Sequence, residues 1–494
     1  MKLVRASLLL LVLFAAKQVQ AEFPSAITHV VVIVQENRTP DNLFQGLCFA
    51  PFGTSTSCST SPSSTQYNIQ NYYVNSKSVH TLLQPVGLQT DFDLSHAHSA
   101  FVNESAHPSS PITPGCSANT FDCAPTTWNQ FMYVDNRQAL NYDNAYGKGT
   151  THILDPYLTL ATQYGWANYF HQTNQGPSYP AHQFIFGGTS APSAADDSKA
   201  IFVAENPSPQ DGFAGCLGSD TDYLIMPGGK ETSFGGKPGS LCFDHDTMAT
   251  LLDAAKPKAI TWKYYAPNAG SIWTAPNSIK DICQPNSGFT KCTGTEWMDN
   301  VILQNSSNPA PFLKDLASCS LADVSWVIPD GRWSDHANAD NGLGPSWVAA
   351  IVNGIGGFDN SCGYWANTAV VITWDDWGGW FDHEAPIVLG GNQGDYQFGF
   401  RVPLIVVSAY TPAGYINNEN PHDFGTILRM IEGIYGIKEG SLGFADARAT
   451  GDLSNFFTLT SPRSFSGPIV AVRDAKYFLT LTGTSPTDPD DDDE

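Results

Sequence analysis

Short runs of consecutive apolar residues, rather than alternation, mark the hydrophobic pattern of this chain. Ile27 to Val34, Ala259 to Trp262, Val324 to Ile328, Thr368 to Thr373 and Pro403 to Val407 are rich in Val and Ile, and none alternates strictly with polar residues. Continuous β-branched runs of this length suit strands buried on both faces, as in a parallel sheet. Helical patterns lie between them. Thr247 to Ala255 follows Asp246 as a candidate N-cap, Ser346 to Ile355 follows Gly344-Pro345, and Phe424 to Tyr435 is a third. Strands alternating with helices predict an α/β fold, a mostly parallel central sheet flanked by helices.

The stretch from Cys48 to Tyr146 breaks the pattern, being rich in Ser, Thr, Asn, Pro and Tyr and poor in long apolar runs. It is expected to form long excursions over the sheet, a lid in effect. The chain ends in Asp490, Asp491, Asp492, Asp493 and Glu494, so Thr484 to Glu494 is expected to be a solvated, disordered tail. At the other end, Lys2 and Arg5 precede the short apolar run Ser7 to Ala16 and the small-x-small pattern Val19-Gln20-Ala21. That run is too short to span a bilayer, which takes roughly 20 residues, and reads as a signal peptide over residues 1–21. Residues 22–483 then form a single catalytic domain, with 48–146 as its loop-rich excursion, and there are no internal repeats. Secretion or export to the periplasm follows, and the ten cysteines fit an oxidising compartment. Many are near pairs (Cys48 with Cys58, Cys116 with Cys123, Cys283 with Cys292). No Cys-x-x-Cys occurs, so local disulfides are favoured over zinc ribbons.

Composition narrows the functions. The 494 residues are 42% hydrophobic, enough for a large core, and 47 acids against 24 bases give a formal charge of -23. Nucleic acid is excluded as a partner, since it needs a basic face. Stable membrane insertion is not expected, and the sequence sets no oligomeric state. A phosphate-bearing substrate would need a local reversal of the acidic field.

The candidate chemistry follows the apolar runs, and in open α/β sheets ligands bind beyond the carboxyl ends of the strands. Gln35-Glu36-Asn37-Arg38 follows the first run, Asp330 to His336 follows the third, and Trp374-Asp375-Asp376-Trp377-Gly378-Gly379 follows the fourth. Glu36, Asn37, Asp375 and Asp376 are oxygen donors of the kind hard cations prefer. Two adjacent acids cannot both enter a dry site ionised without a cation or bases. The flanking Trp374, Trp377 and Trp380 argue for a packed loop, which favours a metal over solvated acids. A second cluster runs from Asn174 to His182, with Gly176-Pro177 ahead of Ser178 in a tight turn that presents a hydroxyl. It is not a Gly-x-Ser-x-Gly elbow. Of the twelve histidines, His96 and His98 lie two apart, and His336 and His383 sit in acid-rich loops. His245 reads as a residue ahead of a helix, and His29 as a core residue in a strand.

Taken together these motifs resemble those of the bacterial phospholipase C and acid phosphatase superfamily of phosphoesterases. Gln35 to Phe44 resembles the family's opening ENRSFDHYFG motif, with Pro40 where an aromatic residue is usual, and Gly176 to Pro180 resembles its Gly-Pro-Ser/Thr-x-Pro nucleophile motif. Ser334-Asp335-His336, Gly344 to Val348, Thr373 to His383, Arg401 to Ser408 and His422 to Gly425 resemble its later blocks in order, from about residue 27 to about residue 457. The resemblance implies an alkaline-phosphatase-like α/β/α sandwich. It implies one divalent metal ion held by Glu36, Asn37, Asp375 and Asp376, with Ser178 as nucleophile and further ligand. His96 and His336 would hold phosphoryl oxygens or protonate the leaving group. Family members carry one more site histidine, for which His383 and His245 are the candidates here. Calcium, magnesium, manganese, iron and zinc all suit the donors.

The expected function is a secreted, metal-dependent phosphoesterase that hydrolyses phosphomonoesters through a phosphoserine. The chain end soon after the last motif, the serine nucleophile and the lack of a basic or strongly apolar membrane stretch favour that substrate. The alternative within the family is a phospholipase C acting on phosphatidylcholine-type lipids. Outside it stands a non-catalytic secreted glycan-binding protein, suggested by the twelve tryptophans.

Overall fold

A computed structural model describes residues 23–487 apart from 75–77, 91, 106–129, 209–212, 227–228, 339–341, 359–360, 390–395 and 420. The expected signal peptide, Cys116, Cys123 and the terminal acids lie outside the described residues.

The apolar runs become the middle of an eight-stranded sheet. In chain order its strands are β1 (His29–Gln35), β2 (Gly165–Ala167), β3 (Trp262–Ala266), β4 (Val301–Leu303), β5 (Val324–Val327), β6 (Thr368–Trp374), β7 (Leu404–Ser408) and β8 (Tyr415–Asn417). They lie in the order β4-β3-β5-β1-β6-β7-β2-β8. Strand β7 pairs antiparallel with both neighbours, and every other pairing is parallel. All of β5, β6 and β7 and all but the first residue of β1 are buried, so both faces of the sheet are covered. This is the α/β architecture with a mostly parallel sheet that the runs predict.

The helices that matter below are α1 (His98–Ser105), α2 (Asp155–Gln163), α3 (Ser178–Gly187), α4 (Met248–Ala254), α5 (Gly344–Ile355) and α6 (Phe424–Ile434). They pack as two groups, α2 against α5, and α3 against α4 and α6, as covering two faces requires. Helix α5 is buried from end to end. Helices α4 and α6 each start with a capping box, from Thr247 and Asp423.

Two boundaries differ from expectation. The strand anticipated at Ala259 to Trp262 starts at Trp262 and runs through Lys263, Tyr264 and Tyr265. Lys263 tolerates the position because its ammonium reaches Asp315 at 2.6 Å, leaving the aromatic β-formers to set the strand. The tail is the other case, because its first residues do not belong to the solvent. Gly331 N–H donates to the Thr487 carbonyl (2.8 Å), and the Thr487 hydroxyl donates to Asp330 (3.2 Å).

The excursion is stapled at its start. Cys48–Cys58 closes its first loop, and Cys216–Cys242, Cys283–Cys292 and Cys319–Cys362 fasten other loops. Its inner end is tied down by a buried ion-pair group. Arg401 forks onto Asp382 at 2.8 and 2.9 Å and donates to the Asn68 and Asn168 carbonyls at 3.0 and 2.8 Å. Asp41 accepts from Gln70 N–H at 2.8 Å and pairs with His383 at 2.6 Å.

Acid groups buried away from the site give stability a pH dependence. Glu432 accepts from the Gly440 and Ser441 amides at 2.7 and 2.9 Å, beside Asp446. Burial, and then Asp446, raise its pKa. Burial pushes Asp423 up to about 6. A carboxyl whose folded pKa lies above its unfolded value contributes stability that is complete below the unfolded value and lost as pH rises through the folded one. Repulsion within a chain of formal charge -23 has the same sign. The melting temperature should therefore be higher at about pH 5.5 than at about pH 8, with a flatter slope in Glu432→Gln. A melting temperature that rises with pH over that window would contradict this origin.

Candidate active site

The sheet register assembles the first half of the site. Strands β1 and β6 are parallel neighbours with Gln35 opposite Trp374, so the residues leaving them, Glu36-Asn37 and Asp375-Asp376, emerge side by side. The two loops are then sewn together. Asn37 N–H donates to Asp375 Oδ1 at 3.0 Å, and Arg38 N–H to the Asp376 carbonyl at 3.1 Å. Asp376 Oδ1 accepts from Gly378 N–H at 2.6 Å. Asn37 has a φ of 61°, and the loop turns past it at Gly378, where a Cβ would stand 2.5 Å from Asn37 Cβ. At Gly379 a Cβ would stand 2.6 Å from Leu94 Cβ and 2.7 Å from the Ser95 carbonyl. The first glycine lets the two strand tips touch. The second lets the excursion lie on top and deliver His96.

The second half arrives on α3, whose first residue is Ser178. Gln172 fixes the approach: its Nε2 donates to the Asn174 and Gly176 carbonyls, both at 3.1 Å, while its Oε1 accepts from Trp377 N–H at 3.0 Å. One side chain thus spans the nucleophile turn and the acidic loop. The Ser178 hydroxyl comes within 3.2 Å of Asp376 Oδ2 and 3.5 Å of Glu36 Oε2. Glu36, Asn37, Ser178, Asp375 and Asp376, on three distant parts of the chain, therefore meet at one point, all at 0% exposure.

His182 completes this group, and the sequence reading gave it no role. It lies four residues after Ser178 on the same helix, hence on the same face, and that spacing is the signal that could have found it. Its Nε2 lies 3.3 Å from Glu36 Oε1 and 3.9 Å from Asp375 Oδ2, and its ring stacks on Trp273.

His96 and His336 face each other across the site, ring centres 6.1 Å apart. His336 follows β5; its Nδ1 meets the Ala337 carbonyl at 2.6 Å, and its Nε2 lies 3.9 Å from Asp93. Beside it, Asp335 accepts from Tyr157 O–H (2.8 Å) and Trp374 Nε1–H (3.0 Å), and burial pushes its pKa up to about 6. His96 Nδ1 meets the Leu94 carbonyl at 2.8 Å, leaving Nε2 to accept from the Asn37 amide at 3.3 Å. That contact engages the Asn37 amide nitrogen and leaves Oδ1 for another partner. Trp377 Nε1–H donates to Glu104 on α1 at 2.8 Å, and burial pushes Glu104 up to about 8. A carboxyl near His96 is thereby kept largely uncharged at neutral pH.

The two remaining histidine candidates do not reach the site. His245 packs on Phe243 and Phe444 with Nδ1 against the Asp246 carbonyl at 2.8 Å, and burial lowers its pKa. His383 belongs to the Asp41–Asp382–Arg401 group. Burial opposes its charge, but Asp41 outweighs burial and raises its pKa. Both lie in acid-rich sequence, which attracted the expectation, but Asp244 pairs with Lys280 and the acids around His383 form a buried ion-pair network.

The central group fits a divalent cation on its own chemistry. Glu36, His182 and Asp375 offer ligand atoms within 4.8 Å of one another. Asn37 Oδ1 and Asp375 Oδ2 are buried with no hydrogen-bond donor among the described residues. Buried oxygens without donors are costly unless a cation takes the place of the donors. Arg38 is turned elsewhere, donating to the Asp335 and Leu88 carbonyls at 2.9 and 3.1 Å.

Residues 27–438 match the model of the Phosphoesterase family. The hemolytic phospholipase C of Pseudomonas aeruginosa is 21% identical over 87% of this chain and 56% of its own length. The non-hemolytic phospholipase C of that organism is 25% identical over 50% of this chain and 40% of its own length. Phospholipase C B of Mycobacterium tuberculosis is 27% identical over 32% of this chain and 34% of its own length. The matched part thus spans about a third to little more than half of these relatives. Among solved structures, a protein in the alkaline phosphatase superfamily from Vibrio parahaemolyticus is 12% identical, with a TM-score of 0.32 over 59% of this chain and 62% of its own. With its family model matched from the first strand to beyond α6, this chain belongs to the Phosphoesterase family.

Proposed function

We propose that this protein is a metal-dependent phosphoric ester hydrolase that works through a phosphoserine at Ser178. The observation that carries this reading is the Ser178 hydroxyl, 3.2 Å from Asp376 and 3.5 Å from Glu36 at a buried cluster of carboxylates. Glu36, Asn37, Asp375, Asp376 and Ser178 would hold one divalent metal ion, with His182 as a further ligand. The bound ion would lower the Ser178 pKa and offset phosphate charge in a strongly acidic protein.

The chain's own groups supply the rest. Ser178 Oγ attacks phosphorus in line with the ester oxygen, so the Oγ–P bond forms as the P–O bond to the leaving group breaks. His96 and His336, on the opposite side, bind phosphoryl oxygens and donate a proton to the departing alkoxide. Water then attacks phosphorus, the Oγ–P bond breaks, and inorganic phosphate or a phosphomonoester leaves.

The enclosure of the site, with His96 only 2% exposed, favours small phosphomonoesters. The second reading, a phospholipase C on phosphatidylcholine-type lipids, is favoured by the relatives, which are phospholipases C. Relative rates on a chromogenic phosphomonoester and on phosphatidylcholine decide between them. Export or secretion is proposed with either reading, and the four disulfides support it.

Ser178→Ala should lower turnover by about a thousandfold or more while metal content stays near that of the parent. An active Ser178→Ala enzyme removes Ser178 from its role. His182→Asn should weaken metal affinity by roughly 10- to 100-fold and raise the metal concentration needed for half-maximal rate. Unchanged metal affinity would make His182 a packing residue.

A further inference from the structure

Between Asp41 and Asp91 the sequence holds no aspartate or glutamate and a single lysine, in a chain with 47 acids. This acid-free segment carries a β-hairpin made of Tyr72–Val74 and His80–Leu82, with Tyr72 opposite Leu82 and Val74 opposite His80. Alternation places Tyr73 on one face and Tyr72, Val74, His80 and Leu82 on the other. The inner face is anchored, with Tyr73 stacked on Phe131 at 3.8 Å and Phe131 5.5 Å from Phe381. The outer face is not polar, as the solvent side of a hairpin normally is. Leu82 is 62% exposed and Val74 40%, beside the stacked rings of Tyr72 and His80, and Val79, just ahead of the second strand, is 52% exposed.

The next strand, Gln84–Val86, pairs with Met132–Val134, and Tyr133 there packs on the inner cluster and lines a groove of about 470 Å³ with Phe49, Phe52, Asp135 and Arg137. Phe49 is itself 51% exposed and lies in the same acid-free segment.

We propose that this hairpin face is a peripheral docking surface for a neutral, zwitterionic phospholipid layer. Aliphatic tips flanked by Tyr suit the boundary between headgroups and acyl chains. Absence of acids removes the repulsion that the rest of the surface would exert, and the near absence of bases gives anionic lipid no advantage. No helix among the described residues is long and apolar enough to cross a membrane, so the contact is peripheral. The hairpin also lies close to the chemistry. Phe381, in its inner cluster, accepts from the Thr39 hydroxyl at 2.7 Å, two residues beyond Asn37. The inference deepens the phospholipase reading and rests on that reading for its catalytic consequence, but docking itself is measured without turnover.

In a Ser178→Ala background, which spares the lipid, the full chain should co-sediment with vesicles of pure phosphatidylcholine. Leu82→Glu should weaken that binding about tenfold, the scale of returning one leucine side chain to water and adding a charge. Val79→Ser, which adds no charge, should weaken it in the same direction. With Ser178 intact, both variants should hydrolyse a soluble chromogenic phosphoester at the parent's rate. Failure of the parent to bind these vesicles, or equal binding by Leu82→Glu, overturns the proposal. So does a concentration-dependent dimer that Leu82→Glu dissolves in a protein that ignores vesicles. Vesicle binding without any phosphoester hydrolysis would instead sink the catalytic reading and leave the docking surface standing.

Discussion

Everything at the centre of this protein answers to one electrostatic constraint. Glu36, Asp375 and Asp376 are brought to full burial at the tips of two adjacent parallel strands, beside a serine hydroxyl and an amide oxygen. Like charges in a dry pocket are strongly unfavourable unless opposite charge is placed among them. The backbone amides of Asn37 and Gly378 relieve part of this, each donating to one of the aspartates. The remaining oxygens converge with His182, the arrangement that hard, oxygen-preferring cations stabilise. The surroundings serve to hold that convergence. Gln172 ties the serine turn to the acidic loop, two glycines permit the close approaches, and His96 engages the Asn37 amide nitrogen.

The central strands were legible because the sheet is parallel and doubly covered. Burial on both faces forces unbroken Val and Ile runs, and these mark β1, β5, β6 and β7. The three-residue strands β2, β4 and β8 are too short to leave such a signal, and β3 was misplaced because Lys263 interrupts its aromatic run. The convergence of Glu36, Asn37, Asp375 and Asp376 was legible because these residues follow the ends of β1 and β6, and Ser178 because Gly176-Pro177 marks a turn ahead of it. His182 was not, because four-residue spacing on a buried helix carries information only once the helix start at Ser178 is known. His245 and His383 misled because acidic sequence around a histidine does not distinguish a catalytic loop from an ion pair.

Interior and surface show opposite uses of charge. The chain is strongly acidic, and it buries a carboxyl group where burial holds it largely protonated at neutral pH, at Glu104. Between Asp41 and Asp91 it omits acids and exposes aliphatic side chains instead. Both choices bear on phosphate chemistry in such a field: a concentrated positive element is needed at the reaction centre, and a neutral window where an ester-rich phase meets the protein. The same excursion carries both His96 and the hairpin.

Anomalous diffraction from crystals of the active, full-length protein, collected on either side of the metal's absorption edge, tests the central claim most directly. The account predicts one strong peak per chain within coordination distance of Glu36, Asp375, Asp376 and Ser178 Oγ. Crystals of demonstrably active protein with no ion there, and with the three carboxylates neutralised by protons or by a rearranged arginine, would contradict it.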